Sequence, residues 1–276
     1  MLDQHEIIIR PKHGLVNLDF AELWRYRELF GFLAWRDILV RYKQTAIGII
    51  WAVIQPVLTM IVFTIIFGRV AQLPSGAAPY AVMTFAAILP WQFFANAMSQ
   101  SSQSVVGSAR MVQKVYFPRL IIPFSSTLSG AVDFLIALVI LFLLMIWYQV
   151  PVRSYLLLLP VFGICALAAA LSVGIWLSAL NVKYRDVKYV VPFVVSLGMY
   201  ISPVGYMTSV IPEEWRFWYS LNPMVGVIDG FRWAILGPEF EPYWPGFAIG
   251  MGVVGLLLVT GLYYFRSMEK TFADVI

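Results

Sequence analysis

Apolar and charged residues fall along this chain in blocks, not in short helical or strand periods. Six intervals carry no charge, or almost none: residues 48–68, 80–109, 120–149, 154–182, 189–212 and 242–265, the third broken only by Asp133. Each is longer than the ~20 residues an α-helix needs to cross the hydrocarbon of a bilayer. With no water there to satisfy the backbone, the intervals are predicted to be helices that bond within themselves. The expected fold is an all-α integral membrane protein with six transmembrane helices.

The polar blocks set the orientation. Residues 36–56 run from Arg36, Arg41 and Lys43 into the first apolar interval without a turn signal, so the chain is expected to enter the membrane from the cytoplasm near residue 47. With the N-terminus inside, fifteen of the nineteen Lys and Arg residues lie on the cytoplasmic side, and only Arg69, Arg153, Arg216 and Arg232 lie outside. The net charge of +4 is therefore read as a topology signal, and no nucleic-acid partner is expected. The organisation that follows is N-in and C-in: a cytoplasmic segment over 1–47, a transmembrane domain over 48–266 and a cytoplasmic tail over 267–276. A charged block ahead of the first span argues against a cleavable signal peptide. At 61% hydrophobic and 12% charged, the composition excludes an ordinary soluble domain.

Smaller patterns lie within and between the spans. Asp19 and Glu22 suit a helix start, and the residues that follow place Leu23, Tyr26, Phe30, Leu33 and Ala34 on one side, with charges interleaved elsewhere. This predicts an amphipathic helix over 19–41 lying along the cytoplasmic interface with Trp24 and Trp35, the alternative being a soluble helix packed on a partner. In the second span Gln92, Asn96, Ser99 and Gln103 form one uncharged polar stripe, which either hydrogen-bonds a neighbouring helix or lines a hydrated path. The loop after it frames Tyr116 and Phe117 between Arg110, Lys114 and Arg119, with Pro118 and Pro123 following, as a short helix parallel to the membrane would. Ser125, Ser129 and Asp133 repeat the stripe in the third span, where Asp133 is read as a structural cap because no intramembrane cation faces it. Residues 212–236 are too aromatic for a plain connector, and Asn222–Pro223 divides them into two short amphipathic pieces expected to dip into the outer leaflet.

Catalytic chemistry is missing. The only histidines, His5 and His13, precede the membrane domain, and Cys165 is the single cysteine, so no intrachain disulfide and no intramembrane His/Cys metal cluster can form. There is no phosphate-binding loop of the G-x-x-x-x-G-K-[ST] type and no nucleophile beside a base. A transport subunit, not an enzyme, is expected.

An ordered set of short motifs is more specific: ELWRYRELF (22–30), RDILVRYKQTAIGIIWAVIQP (36–56), ILPWQFF (88–94), KVYFPR (114–119), SALNVKYRDVKY (178–189), ISPVGY (201–206) and LNPM (221–224). With the spans between them they resemble the membrane-spanning subunit of type-2 ABC exporters for lipid-linked polysaccharide, particularly O-antigen and teichoic-acid export permeases, over nearly the whole chain. The resemblance implies a homodimer in the bacterial inner membrane, with two separate cytoplasmic ATPase subunits that carry the ATP and Mg; no cofactor is expected on this chain. It implies a coupling helix over 108–119, with Lys114, Tyr116, Phe117, Pro118 and Arg119 meeting the ATPase; the charge-flanked aromatic pair Tyr116–Phe117 suits a small anchor that enters a cleft of that partner with Arg119. It also implies gate helices over 212–220 and 223–236, with Trp215, Trp218, Tyr219, Asn222, Pro223 and Phe231 as gate residues. The cargo would be a polyprenyl-diphosphate-linked glycan. Its uncharged path would be lined by Gln92, Asn96, Ser99 and Gln103, joined by Trp51, Gln55 and Tyr200 from other spans. The rivals are the same architecture with another cargo (teichoic acid, capsule, drug or lipid) and a proton-coupled carrier built on Asp133.

Overall fold

The computed structural model describes residues 20–43 and 46–272, so the Asp19 cap, both histidines and the last residues of the expected tail lie outside it. Every regular element among the described residues is helical. The amphipathic segment forms two pieces, α1 (Phe20–Arg25) and α2 (Arg27–Tyr42), parted at Tyr26, whose backbone leaves the helical well at φ −92°, ψ 19°. Leu23, Tyr26 and Phe30 are half-buried and Leu33 and Ala34 are buried, which is the face the spacing predicted. Trp24, Phe32 and Trp35 remain exposed on the other side.

The first span is α3 (Ala46–Phe63), continued by a wider π-helical turn over Thr64–Val70. Then come α4 (Tyr80–Gly107), α5 (Ala109–Lys114), α6 (Ile121–Leu128) and α7 (Gly130–Trp147). A 3-10 turn (Ser154–Leu158) leads into α8 (Leu159–Lys183), followed by α9 (Val187–Ile201), α10 (Glu213–Ser220), α11 (Pro223–Leu236) and α12 (Trp244–Glu269). Five stretches are long and apolar enough to cross a membrane: Ile50–Val70, Tyr80–Gly107, Ile121–Trp147, Ser154–Lys183 and Trp244–Glu269.

The sixth expected span takes a shorter form than a continuous helix. In place of a helix over 189–212, α9 has 15 residues, about 22 Å at 1.5 Å per residue, short of the ~30 Å hydrocarbon. Its last helical bond is Ser202 N–H to Gly198 O at 2.8 Å, and Ser202 then turns extended because Pro203 disfavours the helical well in the residue before it. Residues 202–205 continue inward as buried, non-helical chain.

Helix α4 is the axis of the protomer. It packs against α8, α6, α7, α11, α3 and α9, and most of its length is buried. The closest partner is α8, on which Ala166, Ala170, Gly174 and Ser178 recur every four residues as one buried stripe. Small residues let helix backbones approach, the usual basis of tight packing in a medium as apolar as the side chains. A Cβ on Gly174 would stand 2.6 Å from Ser101 of α4, so only glycine fits there. Asn181 Nδ2 donates to Ser102 O at 3.0 Å further along the same seam.

A second apolar cluster closes the end of the bundle beside α2 and α5: Val105, Val112, Phe117, Leu120, Phe265 and Phe272 are among its buried members. At the opposite end Asn222 caps α11, its Oδ1 accepting from Met224 N–H at 3.0 Å, with Pro223 at the first helical position.

Candidate functional site

The polar stripe of α4 occupies the one side of that helix which its neighbours leave open. Gln92, Asn96 and Ser99 are half-buried and Gln103 is exposed, while the positions between them are mostly buried. A cavity of about 140 Å³ gathers Gln92 and Asn96 with Trp51, Gln55 and Pro56 of α3, and its remaining wall includes Arg41 and Asp133. Two spans thus bring four of the expected path residues together. Ser99 and Gln103 continue the stripe beyond the cavity. Tyr200 does not join it; on α9 its ring stacks on Phe63 with centroids 5.9 Å apart. Gln92, Asn96 and Gln103 form no side-chain hydrogen bond among the described residues.

Asp133 corrects the expectation of a capping acid without a cation. Tyr42 O–H donates to its Oδ1, and Arg41 Nη2 stands 2.5 Å from its Oδ2 as an ion pair whose alignment falls short of a hydrogen bond. Both partners come from the last turn of α2, some ninety positions away in sequence, so local spacing carries no trace of the contact. Burial first, then the bond to Asp133, pushes the Tyr42 phenol above its ordinary pKa, so it stays a donor. The serines before it do cap backbone: Ser125 Oγ donates to Ile122 O at 3.0 Å and Ser129 Oγ to Ser126 O at 2.7 Å. The amphipathic segment and the third span are therefore joined by a charged contact at the mouth of the polar cavity.

The segment expected to couple to a partner is divided between two roles. Helix α5 covers six residues, and the chain after it is extended at Val115. Lys114 and Tyr116 are exposed, Tyr116 at 65%. Phe117, at 4%, and Pro118 are buried, and Phe117 packs in the cluster with Val112 and Phe265. The expected anchoring pair is thus divided: Phe117 belongs to this chain's own core, and Tyr116 is the ring presented outward. Arg119 is tied to the C-terminal end of α12, its backbone N–H donating to Glu269 Oε1 at 3.1 Å and its guanidinium to the Glu269 carbonyl.

Among the expected gate residues, Trp215 and Trp218 are exposed on α10 with Phe217, and Tyr219 faces inward, hydrogen-bonded to Tyr206 (2.9 Å) and to Ile201 O (3.0 Å). Asn222 and Pro223 build the start of α11, and Asn222 Nδ2 also reaches Ser202 Oγ at 2.9 Å. Phe231 is different: it is fully buried between Phe134 and Phe162, a packing residue and not part of a mouth. Arg232, which charge counting placed outside the membrane, is 1% exposed and was missed altogether. Its guanidinium donates to Tyr206 O (2.8 Å), Val204 O (3.0 Å) and Met83 O (3.3 Å), with Asp229 4.0 Å away. It thereby satisfies the carbonyls freed where α9 ends and pins that broken end to α4. An acid three positions before an arginine in an apolar helix was the one available signal.

Residues 28–236 match a family model described as ABC-2 type transporter. An O-antigen export system permease protein RfbA of Klebsiella pneumoniae is 28% identical over 244 residues, covering 87% of this chain and 92% of the relative. The protein of the same name from Myxococcus xanthus is 26% identical over 260 residues, covering 92% and 98%. The polysialic acid transport protein KpsM of Escherichia coli is more distant, at 19% over 207 residues, covering 73% and 78%.

Proposed function

The chain belongs to the ABC-2 type transporter family, and on that premise we propose that it is the transmembrane subunit of an ATP-driven exporter of polyprenyl-diphosphate-linked polysaccharide of the O-antigen type, working as a homodimer in the bacterial inner membrane. The observation that carries the proposal is the likeness, along most of both chains, to relatives named for O-antigen export. The cavity chemistry agrees with it. Amides without partners among the described residues and an exposed indole face suit hydroxyl-rich cargo, whereas an ion path would present rings of charge. A capsule-like glycan is the second reading, because the more distant relatives include proteins named for polysialic acid transport and for capsule polysaccharide export. In the proposed topology both termini are cytoplasmic, α9 with the buried chain after it completes a sixth crossing, and α10 and α11 dip into the outer leaflet as a gate. Two separate ATPase subunits supply hydrolysis and dock against the α5 segment.

The direct test is reconstitution with the neighbouring ATPase in vesicles, following the appearance of a labelled lipid-linked glycan on the far leaflet. Export is expected to require ATP and the ATPase. Export that persists without them, driven by a pH gradient, would select the carrier instead. An Asn96→Cys variant in a Cys165→Ala background is expected to react with a water-soluble maleimide in at least one nucleotide state. Complete protection in every state would mean that a dimer partner occupies the stripe.

The division of the coupling segment yields a separate expectation. Tyr116→Ala should weaken ATPase docking at least about tenfold while leaving the subunit as stable as before, because a large exposed ring suits an interface anchor. Phe117→Ala should instead destabilise the subunit by about 3 kcal/mol by opening a core cavity. Co-purification and thermal melts of both variants separate the two roles, and a reversed pattern would return Phe117 to the interface.

A further inference from the structure

A cavity of about 290 Å³ lies behind α10, between its inner face, α11, the start of α12 and the loop at Thr208. It shares no residue with the polar cavity on α4. Its lining carries one guanidinium, Arg216, and two carboxylates, Asp229 and Glu241, with the rings of Tyr219 and Tyr243 beside them.

The carboxylate of Asp229 marks a built site. The residue is 8% exposed, and Oδ1 accepts from Thr208 Oγ1 at 2.9 Å. The Arg232 guanidinium is held at 4.0 Å because its donors are engaged by three backbone carbonyls. Oδ2 receives no hydrogen bond from any described residue. This oxygen is open to the cavity and can accept from a donor that enters there. Among the described residues Glu241 accepts only from Trp244 Nε1, at 2.9 Å, and Arg216 is engaged on one side by Glu213 at 3.2 Å, which leaves other donors to reach into the cavity.

The surroundings indicate the occupant. Trp215, Phe217 and Trp218 cover the outer face of α10 and Trp244 opens α12, all exposed. Aromatic belts of this kind mark the level where phospholipid headgroups lie. A cavity at that level with both signs of charge complements a zwitterion. We propose that it binds the headgroup of an aminophospholipid, with the phosphate on Arg216 and the primary ammonium on Asp229 and Glu241 between the two tyrosine rings. A primary ammonium brings three N–H donors to those carboxylates, whereas a trimethylammonium of the same charge brings none. The inference rests on the interfacial position of α10 proposed above.

The test is native mass spectrometry of the delipidated full-length protein titrated with phosphatidylethanolamine, phosphatidylcholine or phosphatidylglycerol of matched chains. One phosphatidylethanolamine per chain is expected to survive activation that strips the other two. Glu241→Gln and Arg216→Gln, at the cavity rim, should each lower its occupancy by about tenfold or more, since each removes a charge-assisted contact. Asp229→Asn should do the same if it folds, and the rim variants decide the matter if it does not. Equal retention of phosphatidylcholine, or rim variants that hold phosphatidylethanolamine as before, would overturn the proposal. Displacement of the lipid by a soluble glycan fragment would overturn it too, making the cavity a cargo subsite. A spin label at a Trp215→Cys position in a Cys165→Ala background reports depth separately. A label away from the interface sinks the gate placement, whereas an interfacial label with no lipid preference sinks this inference alone.

Discussion

Arg232→Met is expected to lower the thermal midpoint of the purified subunit on the order of 10 °C. The guanidinium is 1% exposed, and its three nitrogens serve Met83 O, Val204 O and Tyr206 O. Methionine fills the volume but donates nothing. Three carbonyls and the Asp229 carboxylate are then left in a low-dielectric interior, a change worth about 3–5 kcal/mol when one member of a buried charged network is removed. Asp229→Asn should cost less, because the 4.0 Å separation makes it the minor partner of that cation. Arg232→Lys should rescue only in part, since an ammonium is a point charge and cannot span carbonyls from two segments. The order of melting midpoints in detergent, wild type above Asp229→Asn above Arg232→Met, checks the assignment. Equal loss in the two variants would mean that the ion pair, and not the carbonyl clamp, holds the end of α9.

Asp133→Ala is expected to reduce export at least about tenfold while the protein still inserts, and Asp133→Asn to reduce it less. Alanine removes the carboxylate that pairs with the Arg41 guanidinium and accepts from the Tyr42 hydroxyl at the cavity mouth. The penalty lies toward the lower part of the ~1–3 kcal/mol range for an unmet polar group, because Tyr42, which loses its acceptor, is only half-buried and water can reach it. The larger consequence is mechanical: α2 loses its charged attachment to α7, and motion imposed on the amphipathic segment no longer reaches the polar cavity. Asparagine still accepts from Tyr42 and so keeps part of the attachment. This graded response separates the exporter from a proton-coupled carrier, in which Asp133→Asn would stop transport as completely as alanine because the titrating group is gone. Measured ATP-dependent transport of the two variants, at matched expression, decides between them.

Block patterning of apolar residues determined most of what a bilayer demands. Charge-free runs of more than twenty residues have one solution in hydrocarbon, so the helical class and five segments able to cross a membrane were legible in the sequence. The inward face of α2 and the Asn222–Pro223 start of α11 were legible for a similar reason, since periodicity and capping act within a few residues. Partnerships across the fold were not. Nothing in the run KVYFPR says which of its adjacent rings turns inward; that follows from the pocket that Val112, Leu120 and Phe265 leave for Phe117. Asp133 read as partnerless because Arg41 and Tyr42 precede it by about ninety residues, and only the packing of α2 against the third span brings them to its carboxylate. Arg232 read as an external charge because counting cations cannot see the free carbonyls of a broken helix. Those carbonyls exist only where α9 stops at Pro203, and in an apolar interior an arginine is stable only where such acceptors have already converged. Local chemistry thus wrote the helices into the sequence, and the long-range satisfaction of buried polar groups, a property of the folded bundle alone, decided what each charge does.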